Sequence, residues 1–152
     1  MKYKKNKENS SYWIITYIVF LIIIMAFIFI QSAFPATVSR EESRVVVKFL
    51  RDLFGWSPDN AAFIVRKIGH FLEYLVMGLA LGLAAGNVRK RRQLAYWISW
   101  IGGTLFAVTD EIHQYFVPGR SCEFRDVVID SCGVALGVIV IRLLKGSRQH
   151  NE

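Results

Sequence analysis

His70 and Glu73 stand three residues apart in an apolar stretch, so on a helix they share a face, and Tyr74, four residues after His70, extends it. An imidazole beside a carboxylate is the arrangement of a general base and the group that orients it. A second set is Asp110, Glu111 and Gln114: Asp110 and Gln114 are one helical turn apart and align, whereas Glu111 and His113 point elsewhere. A third is Asp126 and Asp130, again one turn apart. Asp110 and Asp126 are the carboxylates from which a divalent cation could be held, although no cofactor is firmly implied. Two cations accompany them. Lys67 precedes His70 by three residues, and Arg120 lies in the loop between the second and third sets. From there Arg120 could pair with a carboxylate below or offer its planar fork to a phosphate or carboxylate ligand.

These residue types suit phosphoryl chemistry, or the binding of an anionic group without chemistry. No HExxH, no phosphate-binding glycine loop and no Ser or Cys nucleophile beside a base is present. A plainer reading stands beside both. Charged residues at helix ends reach headgroups and water, and an Asp at a helix start favours the dipole. On that reading Asp126 is a helix-start residue, His113 is interfacial, and Glu111 pairs with Arg120 or Arg125.

The elements that carry these groups are membrane spans. Hydrophobic residues make up 53% of the 152-residue chain, yet its net charge is +7. The charges fall in blocks between apolar runs, the segregation of a membrane chain, and no basic face suggests nucleic acid as a partner. Spans are expected at about 13–30, 68–85, 94–116 and 127–144, giving an all-α four-helix transmembrane bundle. Residues 1–12 form a basic amino-terminal segment and 145–152 a tail. The basic start also resembles a secretory signal, but the first apolar run is long and no A-x-A site follows it. Lys2, Lys4, Lys5 and Lys7, the run Arg89, Lys90, Arg91 and Arg92, and Arg142, Lys145 and Arg148 would all face one side. That side is expected to be the cytoplasm, with both termini on it.

Alternating spans then bring the start of the second, the end of the third and the start of the fourth to the outer side. His70, Glu73, Asp110, Glu111, Asp126 and Asp130 should lie within two or three turns of that edge. Ionisable groups within spans are costly, about 2.5–3.5 kcal/mol each near the centre, so three segments converging on one layer points to a network or a site.

The connection from Gln31 to Lys67 is too long to lack structure. Ser39 and Glu42 read as a capping box, followed by Val46, Phe49, Leu50 and Leu53 at helical spacing, with Arg44, Lys48 and Arg51 on other faces. An amphipathic helix between spans one and two is expected, lying on the outer surface or over the bundle mouth. A further helix is expected to begin near Ser57-Pro58 and run into the second span. Gly78, Gly82 and Gly86, and Gly133 and Gly137, recur every four residues, a pattern that lets helices approach closely within the chain. Cys132 reads as a small packing residue and Cys122 as a free thiol in a polar loop.

Three stretches carry a family likeness: KIGHFLEY from Lys67 to Tyr74, DEIHQYFVPGR from Asp110 to Arg120, and DVVIDSCG from Asp126 to Gly133, with Gly137 following. In these the chain resembles the VanZ-like family of small bacterial membrane proteins over roughly residues 13 to 144. Asn is common in that pattern where Asp130 stands here, a departure that adds a carboxylate. The resemblance implies the bacterial cytoplasmic membrane, a role at the cell envelope and a link to susceptibility to the glycopeptide teicoplanin. It brings no settled mechanism.

Two functions are consistent with the chain at this stage. One is a non-enzymatic envelope protein that binds an anionic lipid headgroup or cell-wall precursor through Lys67, His70, Glu73, Asp110, Glu111, Gln114, Arg120, Asp126 and Asp130. The other is an intramembrane hydrolase or transferase acting on a lipid-linked phosphate, with His70, Glu73 and Asp110 as candidate catalytic groups. Ion-coupled transport is disfavoured by the nearly charge-free inner half of the spans.

Overall fold

The computed structural model describes residues 2–88 and 90–148, so Arg89 of the basic connection and residues 149–152 of the tail lie outside the described residues. Among the described residues the chain forms five helices and no strand: α1 (Lys2–Ala33), α2 (Ala36–Phe54), α3 (Pro58–Gly86), α4 (Arg92–Tyr115) and α5 (Phe124–Arg148). Three stretches are long and apolar enough to cross a membrane: Tyr12–Ala33, Pro58–Gly86 and Phe124–Gly146. The fourth expected span, α4, has 24 residues and the necessary length, but is not among them. Its Tyr, Trp, Gly and Thr residues and the Asp110–Glu111 pair dilute its apolar character.

Local signals explain the helix ends. Ser57 caps α3, its hydroxyl accepting from the Asn60 N–H at 3.3 Å, and Pro58 occupies the first turn as the sequence suggests. α2 departs from its expected start. It begins a turn earlier, after Pro35, without a side-chain cap, and Ser39 lies inside the helix. The expected capping box therefore does not form, and the Ser39 hydroxyl is taken by Arg120 instead. α2 stops at Gly55, whose φ of 67° places it in the left-handed region that a side chain disfavours.

α3 and α5 run parallel and touch backbone to backbone. Gly133 lies against Phe71 and Tyr74, Gly137 against Gly78 and Leu79, and Gly82 against Val138 and Ile141. A Cβ at Gly137 would fall 2.5 Å from the Leu79 nitrogen and 2.6 Å from the Leu75 oxygen, so only glycine permits this separation. The glycine repeats thus serve packing within the chain. α4 returns antiparallel to both. Trp100 donates to the Ser131 hydroxyl at 3.2 Å, Thr104 and Ser131 share a 2.8 Å hydrogen bond, and Ser99 donates to the Leu81 carbonyl at 3.4 Å.

The apolar core lies between these helices and includes Tyr74, Met77, Ala107 and Val134, with Ile24 and Ile28 contributed by α1. Elsewhere α1 is exposed along its length, from Trp13 through Ile23 to Ile30. So large an apolar surface on a folded chain marks contact with lipid or another protein. Cys132 is exposed on α5 and does not fill the core, contrary to the sequence reading; the face of α5 that packs is the Gly133, Val134 and Gly137 face.

Candidate functional site

The end of α1, the start of α3, the end of α4 and the start of α5 meet at one end of the bundle, with α2 and the α4–α5 loop across it. Buried polar residues collect there: Ser32, Lys67, His70, Asp110, Glu111, Gln114, Asp126 and Asp130. They divide into three groups.

The first is an ion cluster between α3 and the start of α5. Lys67 pairs with Asp126 through a short contact and with Glu123 at 3.2 Å. Arg125 at 3.2 Å and Arg66 at 3.6 Å also reach Glu123. Glu111 joins from α4, accepting the backbone N–H of Glu123 at 2.6 Å. Hydrogen bonds from Lys67 and then Ser121 hold the Glu123 carboxyl below the usual glutamate range. Glu123 is the hub of this group, and sequence reasoning did not single it out. The available signal was its position between Arg120 and Arg125, the one acid in a basic loop.

The second group ties α1, α4 and α2 together. Ser32 donates to one Asp110 oxygen at 2.6 Å and Gln114 to the other at 3.1 Å. Arg120 donates to the Gln114 side-chain oxygen at 3.4 Å, the carbonyls of Phe34 and Gln31 at 3.2 and 3.3 Å, and the Ser39 hydroxyl at 2.7 Å. Its fork is thus spent on the α1–α2 corner. Burial, with Arg66 nearby, lowers the Arg120 pKa from its very high ordinary value.

The third group is the open one. His70 Nδ1 faces Asp130 Oδ1 across 3.5 Å, and neither Asp130 oxygen has a hydrogen-bond partner. The carboxylate opposite the imidazole therefore comes from α5, and Glu73 points along the same α3 face toward a cavity. That cavity, about 610 Å³, lies between α2 and α3 and is lined by Ser39, Ser43, Arg66, His70, Glu73 and Arg120, among others. Nδ1 is the imidazole nitrogen turned toward Asp130, and His70 forms part of the cavity wall.

Of the candidate residues, His70, Glu73 and Arg120 line this space; Lys67, Glu111 and Asp126 sit in the ion cluster, and Asp110 and Gln114 in the α1–α4 tie. The two carboxylates considered for a divalent cation, Asp110 and Asp126, belong to separate groups with separate partners. Among the described residues no cluster of three His, Cys, Asp or Glu side chains has metal-binding geometry. His113 stacks on Phe29 with ring centroids 4.1 Å apart, a packing role at the end of α1.

No curated protein and no solved structure matches the chain. The profile of the VanZ/LLP1 family matches residues 17–145, which takes in all of the polar layer and the part of each helix that bears it. With the three motifs of the sequence gathered at one end of a helical bundle and that match spanning most of its length, the chain belongs to the VanZ/LLP1 family.

Proposed function

We propose that this protein spans the bacterial cytoplasmic membrane four times, through α1, α3, α4 and α5, with both termini in the cytoplasm. Its cavity at the outer end would take an anionic lipid headgroup or cell-wall precursor group. The cavity between α2 and α3 is the observation that carries this reading. Its wall combines the cation Arg66, whose side chain is 34% exposed, with Glu73 and His70 as acceptors for hydroxyl or ammonium groups on the same ligand. Lys67 and Arg120 are spent on protein acceptors, whereas Arg66 meets Glu123 only at 3.6 Å and its Nε has no hydrogen-bond partner among the described residues, so Arg66 and the rim residue Arg40 are the cations best placed for an anion. Support for the four-span topology comes from Lys90, Arg91 and Arg92 between α3 and α4, at the end opposite the polar layer.

The test is thermal unfolding of the full-length protein in detergent with phosphatidylglycerol, a polyprenyl phosphate or inorganic phosphate. One of these is expected to raise the transition of the wild type and to lose its effect on Arg66→Gln and Glu73→Gln. An unshifted wild type with all three would refute binding of this class. Where binding holds, an altered teicoplanin susceptibility on deletion, restored by the wild type and not by Glu73→Gln, is the cellular counterpart.

One observation favours a second reading, hydrolysis or transfer on a lipid-linked phosphate: Asp130 Oδ1 faces His70 Nδ1 at 3.5 Å, the neighbours of an oriented base at a distance longer than its hydrogen bond. In such a step a water oxygen would bond to phosphorus as the lipid oxygen leaves. His70 would take the water's proton and return it to that oxygen. A divalent cation at Asp110 or Asp126 would be an addition to this step, and chelator addition tests it. Phosphate release lost in both His70→Asn and Asp130→Asn would establish the reading; no release from folded wild type, with or without added magnesium, would dismiss it.

A further inference from the structure

α2 has three faces. At about 100° per residue, Ala36, Ser39, Ser43, Val47 and Leu50 fall together, and these are its half-buried positions, turned to the bundle. Val38, Val45, Val46, Phe49 and Leu53 fall together about a third of a turn away, with Phe49 63% and Leu53 61% exposed and the exposed Glu42 among them. Arg40, Arg44, Lys48 and Arg51 gather on the side opposite that apolar face and all four are exposed, with Glu41 and Asp52 at its margin and Glu41 3.6 Å from Arg44. No residue of α2 is buried. A helix packed on a soluble domain needs only an apolar inner face and a polar outer one. Here the inner face is half polar, and the apolar face is turned away from the protein.

Two directions perpendicular to the protein contact, one apolar and one cationic, are what a helix meets at a membrane surface beside a bundle. The stripe of four cations names the surface further. Basic residues at that depth are drawn to anionic lipids, an attraction that neutral lipids do not supply. We propose that α2 is an interfacial helix, its Val46, Phe49 and Leu53 face sunk to the acyl boundary and its Arg40, Arg44, Lys48 and Arg51 stripe among anionic headgroups. The cavity is then served from the plane of the membrane. Ser39 and Ser43 line it from the bundle-facing side of α2, and Arg40 and Glu42 line it from the flanks. Its anionic ligand arrives on a bilayer lipid and not from bulk water. Only this last step rests on the headgroup reading of the cavity; the seat of α2 stands without it.

The test uses the full chain with Cys122→Ser and Cys132→Ser, reconstituted in nanodiscs of phosphatidylcholine with or without phosphatidylglycerol. Single changes Val46→Cys, Phe49→Cys, Leu53→Cys, Arg44→Cys, Lys48→Cys and Arg51→Cys carry a nitroxide. Positions 46, 49 and 53 should collide with oxygen and be shielded from a water-soluble nickel chelate, and positions 44, 48 and 51 the reverse. Nickel access at 49 equal to that at 44 would show a solvated helix. Shielding of 49 from both reagents would show a second copy or another protein on that face. Either result overturns the proposal. Phosphatidylglycerol should deepen the label at 49, and Arg44→Gln with Lys48→Gln should remove that difference; equal depth in both lipids overturns the anionic part. For the last step, a nitroxide at Ser43→Cys should be broadened by headgroup-labelled phosphatidylglycerol and not by spin-labelled glycerol phosphate in solution. Broadening by the soluble probe instead, with the α2 pattern intact, would overturn arrival from the membrane and leave both the seat of α2 and the cavity reading standing. Broadening by neither would sink the headgroup reading alone.

Discussion

Breaking the Lys67–Asp126 pair from its two ends should give unequal losses. Both side chains are nearly buried, at 10% and 3% exposure. Lys67 also has Glu123 at 3.2 Å, so Asp126→Asn leaves the ammonium with a second carboxylate. The loss there is that of one hydrogen bond between charged groups, about 1.5–3 kcal/mol. Among the described residues Asp126 has no second ion-pair partner, so Lys67→Met strands a buried carboxylate. Removing one partner of a buried pair costs about 3–5 kcal/mol. Lys67→Met should therefore be the less stable single variant, by about 1.5–2 kcal/mol, comparing the low ends and the high ends of those ranges. Replacing both, Lys67→Met with Asp126→Leu, should recover much of the loss, because an apolar pair of similar volume can match a buried ion pair. The assay is reversible unfolding in mixed micelles for all four proteins, each variant compared with wild type. Equal losses for the two single changes, or a double variant worse than either, would refute the assignment of Glu123 as the reserve partner.

Gly137→Val should prevent close α3–α5 contact, with a loss at or above the 1–3 kcal/mol usual for overpacking, measured by the same unfolding; a stable variant would disprove the backbone seam. Arg120→Lys keeps the charge and loses the fork that reaches Gln31, Phe34, Gln114 and Ser39, so trypsin should cut within α2 sooner than in wild type. Glu123 has a depressed pKa, so its stabilisation is full above the ordinary glutamate value and is lost as pH falls through its lower folded value. Wild-type stability should thus drop on acidification in that range, and Glu123→Gln should flatten the drop. In intact cells a membrane-impermeant maleimide should label the exposed loop residue Cys122 and leave Cys132 on the apolar face of α5 unreacted; labelling of a cysteine introduced at position 90 would invert the topology.

Much of this arrangement is legible in the sequence because membrane helices announce themselves by length and apolarity, and their alternation sorts residues by depth. His70, Asp110, Asp126 and Asp130 do share one layer, as spacing and alternation imply. What a single chain does not encode visibly is the rotation of one helix against another. Glu73 is the obvious partner for His70 along α3, yet the carboxylate facing Nδ1 is Asp130, because the Gly133 and Gly137 seam fixes the rotation of α5. Backbone acceptors have no letter in the sequence either, and so the commitment of Arg120 to the carbonyls of Gln31 and Phe34 was out of reach. At the start of α2, Pro35 prevailed over the capping residues Ser39 and Glu42, since a fixed φ can begin a helix where Ser39 was drawn away by Arg120. α4 is the expected span of weakest apolarity, because aromatic, glycine and threonine residues fill its length without making it strongly apolar.

The parallel seam between α3 and α5 also orders the birth of the molecule. These helices are separated in the chain by α4, so the tightest joint in the bundle cannot close until the last helix has been synthesised. Until then Lys67 and His70 wait without Asp126 and Asp130, and the glycine face of α3 has no companion. A ribosome-bound chain stopped before α5 would leave the Lys67 ammonium to Glu123 alone and the close-packing face of α3 bare, so its unfinished state is a matter of a missing helix and not of a missing contact.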